Sequence, residues 1–296
     1  MAKKIRSLAD RFKTFIANLQ MENQTFIARR FKEIARRVND DFWNLKSDQR
    51  NTHYIGSYGR GTAIKGTSNI NILVILPPAV FEHFDNFKGN GQFTLLTELR
   101  ASMLKIYPET IMKENEKGEV LIPFTDMEFE IIPAFVNSKG NYYYPNIEDE
   151  GRWNEFNPIK EIDVINSLNY EYNGKIKHLA KMMRAWKYSN SVPISGMLID
   201  TMVMDFMEEW TGNDKSYSYY GNMTLDFLEY LAGKRNEQGH WYAKGSNREL
   251  PRTGNFGRKA NEAFKKTSEA LRLETDGEYI KAGNVWKEIF GDNFPV

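Results

Sequence analysis

The run of residues 70–76 constrains the fold of this chain more than any other segment. Apart from Asn71 it is apolar and rich in β-branched residues, and two prolines, Pro77 and Pro78, follow it directly. β-Branched side chains favour strands, and a proline cannot donate a hydrogen bond to a neighbouring strand. The run therefore predicts a strand that ends at Pro77.

Helical periodicity precedes this strand and returns in the second half of the chain. In residues 5–19 and 26–42, apolar side chains recur every three or four positions, which predicts a long N-terminal helix or a helical pair. The same spacing predicts helices at residues 94–106, 175–187, 196–210, 224–232 and 258–273.

Shorter segments predict the rest of a small sheet. Strands are expected at residues 54–56, 119–122 and 128–132, with Pro133 closing the last of them. Residues 137–158 and 236–255 are rich in Asn, Gly and Pro and predict loops. The order of elements indicates an α+β fold, with residues 1–160 forming a sheet-containing domain that includes the N-terminal helix. Residues 161–296 are expected to form a helical domain that packs against it and creates a cleft.

Composition excludes several kinds of chemistry. The chain has no cysteine, so disulfides, cysteine-based zinc sites and thiol nucleophiles are excluded, and its four histidines lie far apart. Lys and Arg number 40 against 39 Asp and Glu, so the basic excess typical of proteins that bind long nucleic acids is missing. Single nucleotides stay possible ligands.

Location and assembly can also be predicted from the pattern. No apolar run reaches ~18 residues, and the first residues lack the apolar stretch of a secretory signal. We therefore expect no membrane contact and a cytoplasmic location. The chain shows no heptad seam, which favours a monomer.

A glycine-rich turn is the first segment that could carry chemistry. Gly56 and Ser57 follow a predicted strand and precede a predicted helix start at residues 60–64. Backbone N–H groups, a hydroxyl and the positive end of a helix can together hold a phosphate. Most such turns are only turns, so the interpretation depends on what lies beside this one.

Two asparagines stand where the central strand begins. Asn69 and Asn71 are two positions apart, so on a strand they project from the same face. Two carboxylates there could hold two Mg²⁺ ions, which would activate a hydroxyl and stabilise a leaving pyrophosphate. Carboxamides contribute no negative charge, and the alternative is that both residues only cap the strand end.

An acidic residue on another strand would complete such a site. Glu130 lies on the predicted strand at residues 128–132, with Glu128 on the same face. A third carboxylate could bind metal and help to deprotonate an attacking hydroxyl. The alternative is an exposed strand face that carries two solvated acids.

Taken in order, these segments resemble the polymerase-β-like nucleotidyltransferases. The resembling segments are Gly56-Ser57, the Arg-Gly-Thr-Ala-Ile stretch at 60–64, Ser68-Asn69-Ile70-Asn71, and the strand that ends in Pro133-Ala134-Phe135. The stretch at 60–64 and the closing residues 286–295 resemble the bacterial cGAS/DncV-like nucleotidyltransferases (CD-NTases), in particular the CdnE-like clade. The resemblance implies a nucleotidyltransferase core in residues 1–160.

The resemblance also implies roles for particular residues. Asn69, Asn71 and Glu130 match the positions of three catalytic acids that bind two Mg²⁺ ions, although the family pattern has aspartate at the first two. Gly56, Ser57, Lys181, Ser195 and Asn166 match nucleotide-binding positions. Without the resemblance, Lys181 is a surface lysine, Ser195 a helix N-cap and Asn166 a capping residue.

The function implied is the joining of two nucleoside triphosphates into a cyclic dinucleotide. This product would act as a second messenger in anti-phage defence by activating a separate effector. The alternatives are a linear oligonucleotide or RNA-tailing nucleotidyltransferase, and a catalytically dead nucleotide sensor. Asn69 and Asn71 are either natural or deliberate Asp-to-Asn substitutions. We favour the second because the surrounding motif is intact, and in either case we expect nucleotide binding with activity largely abolished.

Overall fold

The computed structural model describes residues 7–67, 69–125, 127–148, 150–234 and 236–296, so Ile5 and Ser68 of the segments above lie outside the described residues. The mixed α+β class is confirmed. The helices are α1 (Leu8–Asn18), α2 (Gln24–Trp43), α3 (Gly56–Gly59), α4 (Pro78–Asp85), α5 (Gly91–Leu104), α6 (Pro158–Glu171), α7 (Lys175–Ser189), α8 (Gly196–Glu209), α9 (Tyr220–Ala232), α10 (Phe256–Thr275) and α11 (Tyr279–Phe290). The strands are β1 (Thr52–Ile55), β2 (Ile70–Ile75), β3 (Lys113–Asn115), β4 (Glu119–Pro123), β5 (Glu128–Val136), β6 (Tyr142–Asn146), β7 (Arg152–Phe156), β8 (His240–Tyr242) and β9 (Glu249–Pro251).

The chain divides into two compact units. The sheet unit consists of Met21–Arg60 and Ser68–Ile162, and the helical unit of Met1–Gln20, Gly61–Thr67 and Asp163–Val296. The N-terminal periodicity thus belongs to a helical pair, with α1 in the helical unit and α2 in the sheet unit. The sequence predicts a single boundary at residue 160, which would place α1 in the same domain as the sheet.

The sheet unit is built on β2 and β5, which run parallel. The strand order is β1-β2-β5-β4-β3, and β6 and β7 extend from the far end of β5. One face of the sheet is covered by α2 and α5, and it buries alternate residues such as Ile70, Ile72 and Phe129 completely. The opposite face carries Leu73 and Ile132 in a smaller apolar cluster.

Pro133 does not close its strand, contrary to the prediction. β5 continues through Pro133 to Val136. On one side of β5, Pro133 is paired with Val74 of β2. On the other side, the pairing of β5 with β4 ends at Ile131 and its pairing with β6 starts at Phe135. The missing N–H of the proline therefore removes no hydrogen bond on the side that β4 and β6 leave open.

Both segments predicted as loops contain strands. Residues 142–156 form the β6–β7 hairpin, in which Tyr142 pairs with Phe156, and a second small hairpin pairs β8 with β9. Three aromatic residues of the hairpin, Tyr142, Tyr144 and Phe156, pack against the apolar cluster that holds Leu73. Tertiary contact of this kind outweighs the turn-forming composition on which the prediction relied.

The helical unit buries one large apolar core. Phe12 and Phe15 of α1 pack against the aromatic side chains of Trp286, Phe290 and Phe294 near the end of the chain. The closing motif that resembles the CD-NTases is therefore a packing element of this unit. Within the described residues, no helix has the length and apolar character needed to cross a membrane.

Candidate active site

The three predicted catalytic positions meet on one face of the sheet. In the register of the strands, Asn71 lies between Ile55 of β1 and Glu130 of β5. Residues paired in this way project from the same face. This is the face of Leu73 and Ile132, so the polar group lies where the apolar surface of the two parallel strands ends. Asn69 is exposed just before β2, and Asn71 and Glu130 are partly buried.

Hydrogen bonds join these three side chains to one another. Asn69 Nδ2 donates to Glu130 Oε1 at 2.7 Å, and Asn71 Nδ2 donates to Glu130 Oε2. Each carboxylate oxygen thus accepts a charge-assisted hydrogen bond from a different carboxamide. Both carboxylate oxygens therefore have a donor within the group, and Glu130 is its one acidic residue.

The glycine-rich turn lies against this group, as the sequence predicts. Gly56 has a positive φ of 61°, and a Cβ added to it would lie 2.5 Å from Asn71 Oδ1. Glycine is required here both by the left-handed backbone and by the close approach of the asparagine. Ser57 follows it within α3, so Gly56 and Ser57 belong to the first turn of a four-residue helix.

The helix predicted to begin at residues 60–64 is absent from the described chain. α3 ends at Gly59, and Gly61 adopts a left-handed φ of 70°, so the chain turns here and no helix begins in this stretch. Arg60 Nη1 lies 3.4 Å from Glu161 Oε2 within the sheet unit, and both side chains are buried. Within the helical unit, Thr62 Oγ1 donates to Asp200 Oδ2 at 3.0 Å. Each of these two motif residues therefore contacts an acidic side chain of its own unit.

The residues present do not fit a pair of Mg²⁺ ions. Glu130 is the one charged member of the group, and both of its oxygens already accept hydrogen bonds from carboxamides. Two divalent cations need several oxygen ligands with a larger total negative charge. Among the described residues, no cluster of three or more acidic or histidine side chains could hold a metal ion. Burial raises the pKa of nearby Glu119, and the charges of Glu130 and Glu128 contribute to the increase.

The predicted nucleotide-binding residues of the helical unit are held by local contacts. Ser195 is the N-cap of α8 and accepts a hydrogen bond from Leu198 N at 3.1 Å. Lys181 Nζ donates to Gln20 Oε1 at 3.1 Å. Asn166 is exposed on α6, and its Oδ1 accepts a hydrogen bond from a lysine of α7. The proposed roles of these residues in nucleotide binding stay predictions.

That lysine, Lys177, is not among the site residues predicted from the sequence. Its Nζ lies 2.6 Å from Asn166 Oδ1, and it precedes Lys181 by four residues on α7. The spacing of four on a predicted helix was the available signal, because such residues are neighbours on the helix surface.

This chain is similar to known proteins in sequence and in fold. Residues 7–169, more than half of the chain, match the Second Messenger Oligonucleotide or Dinucleotide Synthetase domain. The chain is 25% identical over 225 residues to a protein of Bacillus cereus (strain VD146) named "Probable cyclic nucleotide synthase", with 71% of this chain and 66% of that protein covered. It is 23% identical over 262 residues to the cyclic AMP-AMP-AMP synthase of an Acinetobacter strain, covering 82% of this chain and 72% of that enzyme.

A solved structure shares the fold. CdnC of E. coli MS115-1, whose structure was determined with ATP, superposes with a TM-score of 0.67 at 14% identity, covering 97% of this chain and 99% of that chain. Such a likeness concerns the fold. Together, the family match and these relatives confirm the resemblance that the sequence motifs predicted.

Proposed function

This chain belongs to the Second Messenger Oligonucleotide or Dinucleotide Synthetase family, and from that premise we propose that it binds nucleoside triphosphates at a site designed to join them into a cyclic product. The observation that carries the proposal is the convergence of Asn69, Asn71 and Glu130 beside Gly56. These are the positions at which the family resemblance implies catalytic acids and a phosphate-binding turn.

In each proposed step, the 3′-hydroxyl oxygen of one nucleotide bonds to the α-phosphorus of the other, and the α–β phosphoanhydride bond of that second nucleotide breaks to release pyrophosphate. The O–H bond of the attacking hydroxyl also breaks, and its proton passes to Glu130, the carboxylate of the group, or to solvent. A second such step closes a ring. We propose a cyclic dinucleotide, although one relative is named for a product with three AMP units, so larger rings are included among the candidate products. ATP, present in the structure of a similar fold, is the first substrate to test.

In its present form the chain should bind nucleotide and turn it over very poorly. Carboxamides at positions 69 and 71 leave Glu130 as the one carboxylate of the group. Loss of two charged ligands commonly removes several kcal/mol of transition-state stabilisation, which corresponds to orders of magnitude in rate. With aspartate at both positions we propose Mg²⁺-dependent synthesis of a second messenger, which would activate a separate effector in anti-phage defence.

The test compares this chain with the double variant Asn69→Asp/Asn71→Asp. Both proteins receive labelled ATP, GTP, CTP and UTP with Mg²⁺, and phosphatase-resistant products are identified by mass spectrometry. We expect a cyclic product from the aspartate form, at a rate larger by about three orders of magnitude or more. If neither form makes a product although both bind nucleotide, the result contradicts the enzyme proposal and indicates a sensor or the need for a separate activator.

A nucleotide sensor is the second candidate, and the hydrogen-bonded trio favours it. Asn69, Asn71 and Glu130 satisfy one another without any ion, as expected if the asparagines are natural and the site only binds. If the chain is a sensor, its affinity for nucleotide should not depend on Mg²⁺, and the aspartate form should gain no activity. The enzyme proposal predicts the opposite result for activity.

A further inference from the structure

Lys177 and Lys181 occupy one face of α7, four residues apart. Side chains at this spacing are neighbours on a helix surface, and both lysines are partly buried. Each ammonium group donates to a carboxamide oxygen, Lys177 to Asn166 at 2.6 Å and Lys181 to Gln20 at 3.1 Å. A carboxamide orients an ammonium group but does not neutralise its charge.

Neither lysine forms an ion pair within the part of the chain that the structure describes. An ammonium group has three N–H donors, so two on each lysine are left for another acceptor. Arg184, about one turn further along α7, provides a contrast. Its guanidinium is within 2.5 and 2.8 Å of the two Asp200 oxygens in a fully buried ion pair. Within the helical unit, the charge of Arg184 is therefore balanced by a carboxylate, whereas no described carboxylate balances the charges of the two lysines.

The surroundings of the two lysines make their charges costly. Burial lowers the pKa of both ammonium groups, and the charges of Lys177 and Arg184 lower that of Lys181 further. Two like charges at this spacing on a helix also repel each other. A bound anion would offset both costs at once, because it would replace the lost solvation and screen the repulsion.

Space beside Lys177 is kept open by a glycine. A Cβ added to Gly61 would lie 3.1 Å from Lys177 Nζ, so any larger residue would crowd the ammonium group. Gly61 also has a positive φ of 70°. The backbone of this loop therefore passes close to the lysine without a side chain covering it.

We propose that Lys177 is a second polyphosphate-binding residue, which acts together with Lys181 on the phosphate chain of a nucleotide. The inference rests on the proposed function, in which the family resemblance implies a phosphate contact for Lys181 but none for Lys177. The ligand chemistry is a polyphosphate, supplied either by the substrate triphosphate or by the released pyrophosphate.

The experiment is a calorimetric titration of the full chain with ATP, tripolyphosphate, pyrophosphate and adenosine in turn. The variants are Lys177→Gln, which removes the charge and keeps a hydrogen-bond donor, and Lys177→Arg, which keeps the charge. Lys266→Gln is the matched control, because Lys266 is an exposed lysine that is ion-paired with Glu288 at 2.7 Å. We expect Lys177→Gln to weaken ATP and tripolyphosphate binding by about tenfold or more, Lys177→Arg by about threefold or less, and Lys266→Gln not at all.

Thermal unfolding without ligand separates this role from a structural one. Removing one of two like charges should leave the Tm of Lys177→Gln unchanged or higher, whereas a lysine needed only to hold Asn166 would lower it. The proposal is overturned if Lys177→Gln binds ATP and tripolyphosphate as tightly as the parent chain. It is also overturned if Lys177→Gln lowers the Tm and Lys177→Arg fails to restore binding. The pyrophosphate arm tells whether substrate or product is the tighter ligand.

The parent chain tests the proposed function in the same experiment. If it binds neither ATP nor tripolyphosphate, nucleotide binding itself fails and the role of Lys177 fails with it. If it binds ATP and the charge at position 177 makes no difference, only the inference about Lys177 is wrong.

Discussion

In the sheet unit, Asn69, Asn71 and Glu130 satisfy one another, whereas in the helical unit Lys177 and Lys181 keep charges that no described carboxylate neutralises. In the first group, each carboxylate oxygen of Glu130 already accepts a hydrogen bond. The second has unused donors and a charge that burial makes costly. Partly buried donors and charges that the fold itself does not satisfy are typical of a site that binds a ligand.

The Arg184–Asp200 pair shows that this difference is specific. The same helix face that carries the lysines also carries an arginine held by a fully buried aspartate. The helical unit can therefore provide a carboxylate where the fold requires one. The two lysines, one and two turns away, have hydrogen bonds to carboxamides but no carboxylate partner among the described residues, and we therefore favour anion binding as their role.

The largest loss of stability should come from breaking the buried Arg184–Asp200 ion pair. Asp200→Ala would leave the Arg184 guanidinium buried without its partner and would remove the acceptor of Thr62. We expect a loss of about 3–5 kcal/mol in the free energy of unfolding, measured by denaturant titration. Asp276→Ala is the matched control, because its i,i+4 pair with Arg272 is exposed and should be worth at most about 1 kcal/mol. Similar losses in the two variants would show that the buried pair has no special importance.

Acid should destabilise the helical unit through His178. Burial, with the charges of Lys181 and Lys175, lowers the pKa of His178 to about 4, and its Nδ1 lies 2.7 Å from Tyr220 Oη. The unfolded chain takes up this proton near pH 6.5 and the folded chain only near pH 4, so stability falls as pH decreases through that window. The histidine should account for a loss on the order of 3 kcal/mol.

To test this, the free energy of unfolding is measured for the parent chain and for His178→Asn, each at pH 7 and at pH 4. Carboxylates titrate equally in both proteins, so their contribution cancels. We expect the difference between the proteins to change with pH, with the parent losing more stability. Parallel pH profiles would show that His178 does not remain neutral in the folded protein.

Replacing the two asparagines with aspartates would give the sheet site neighbouring like charges, as the lysine pair has. Asn69→Asp/Asn71→Asp places two further negative charges beside Glu130 and removes both of its hydrogen-bond donors. In EDTA we expect the variant to be about 1–3 kcal/mol less stable than the parent chain, with Mg²⁺ restoring the loss. Thermal unfolding with and without Mg²⁺ checks this. A parent Tm that rises with Mg²⁺ as much as that of the variant would contradict the conclusion that the present residues do not fit the metal.

The smallest effect concerns Ser195, whose side chain caps α8. Ser195→Ala should cost about 1 kcal/mol because Leu198 N loses its acceptor, and Ser195→Asp should restore the cap. If Ser195 also contacts a triphosphate, the aspartate variant will be stable yet bind ATP more weakly. Equal ATP affinity in the parent and in Ser195→Asp would leave capping as the whole role of this serine.

Much of the local structure could be predicted because it depends on local patterns. The apolar run before Pro77 forms β2, and the periodic segments of the second half form α7 to α10. The predictions failed where a neighbouring strand changes the outcome. Pro133 is tolerated within β5 because its missing N–H lies where no strand pairs on that side. The β6–β7 hairpin is likewise stabilised by a sheet face that its own sequence does not reveal.

The sequence by itself determined which residue types occupy the motif positions, the absence of cysteine chemistry and the period of each long helix. Tertiary structure alone decided which polar groups compensate one another. Asn71 meets Glu130 because β2 and β5 are parallel neighbours, although 59 residues separate them in the chain. Lys177 and Lys181 remain unpaired, by contrast, since no acidic side chain of the described residues lies within ion-pair distance. Periodicity follows from backbone geometry within a few residues, whereas hydrogen bonds and ion pairs depend on distances that exist only after distant segments have packed.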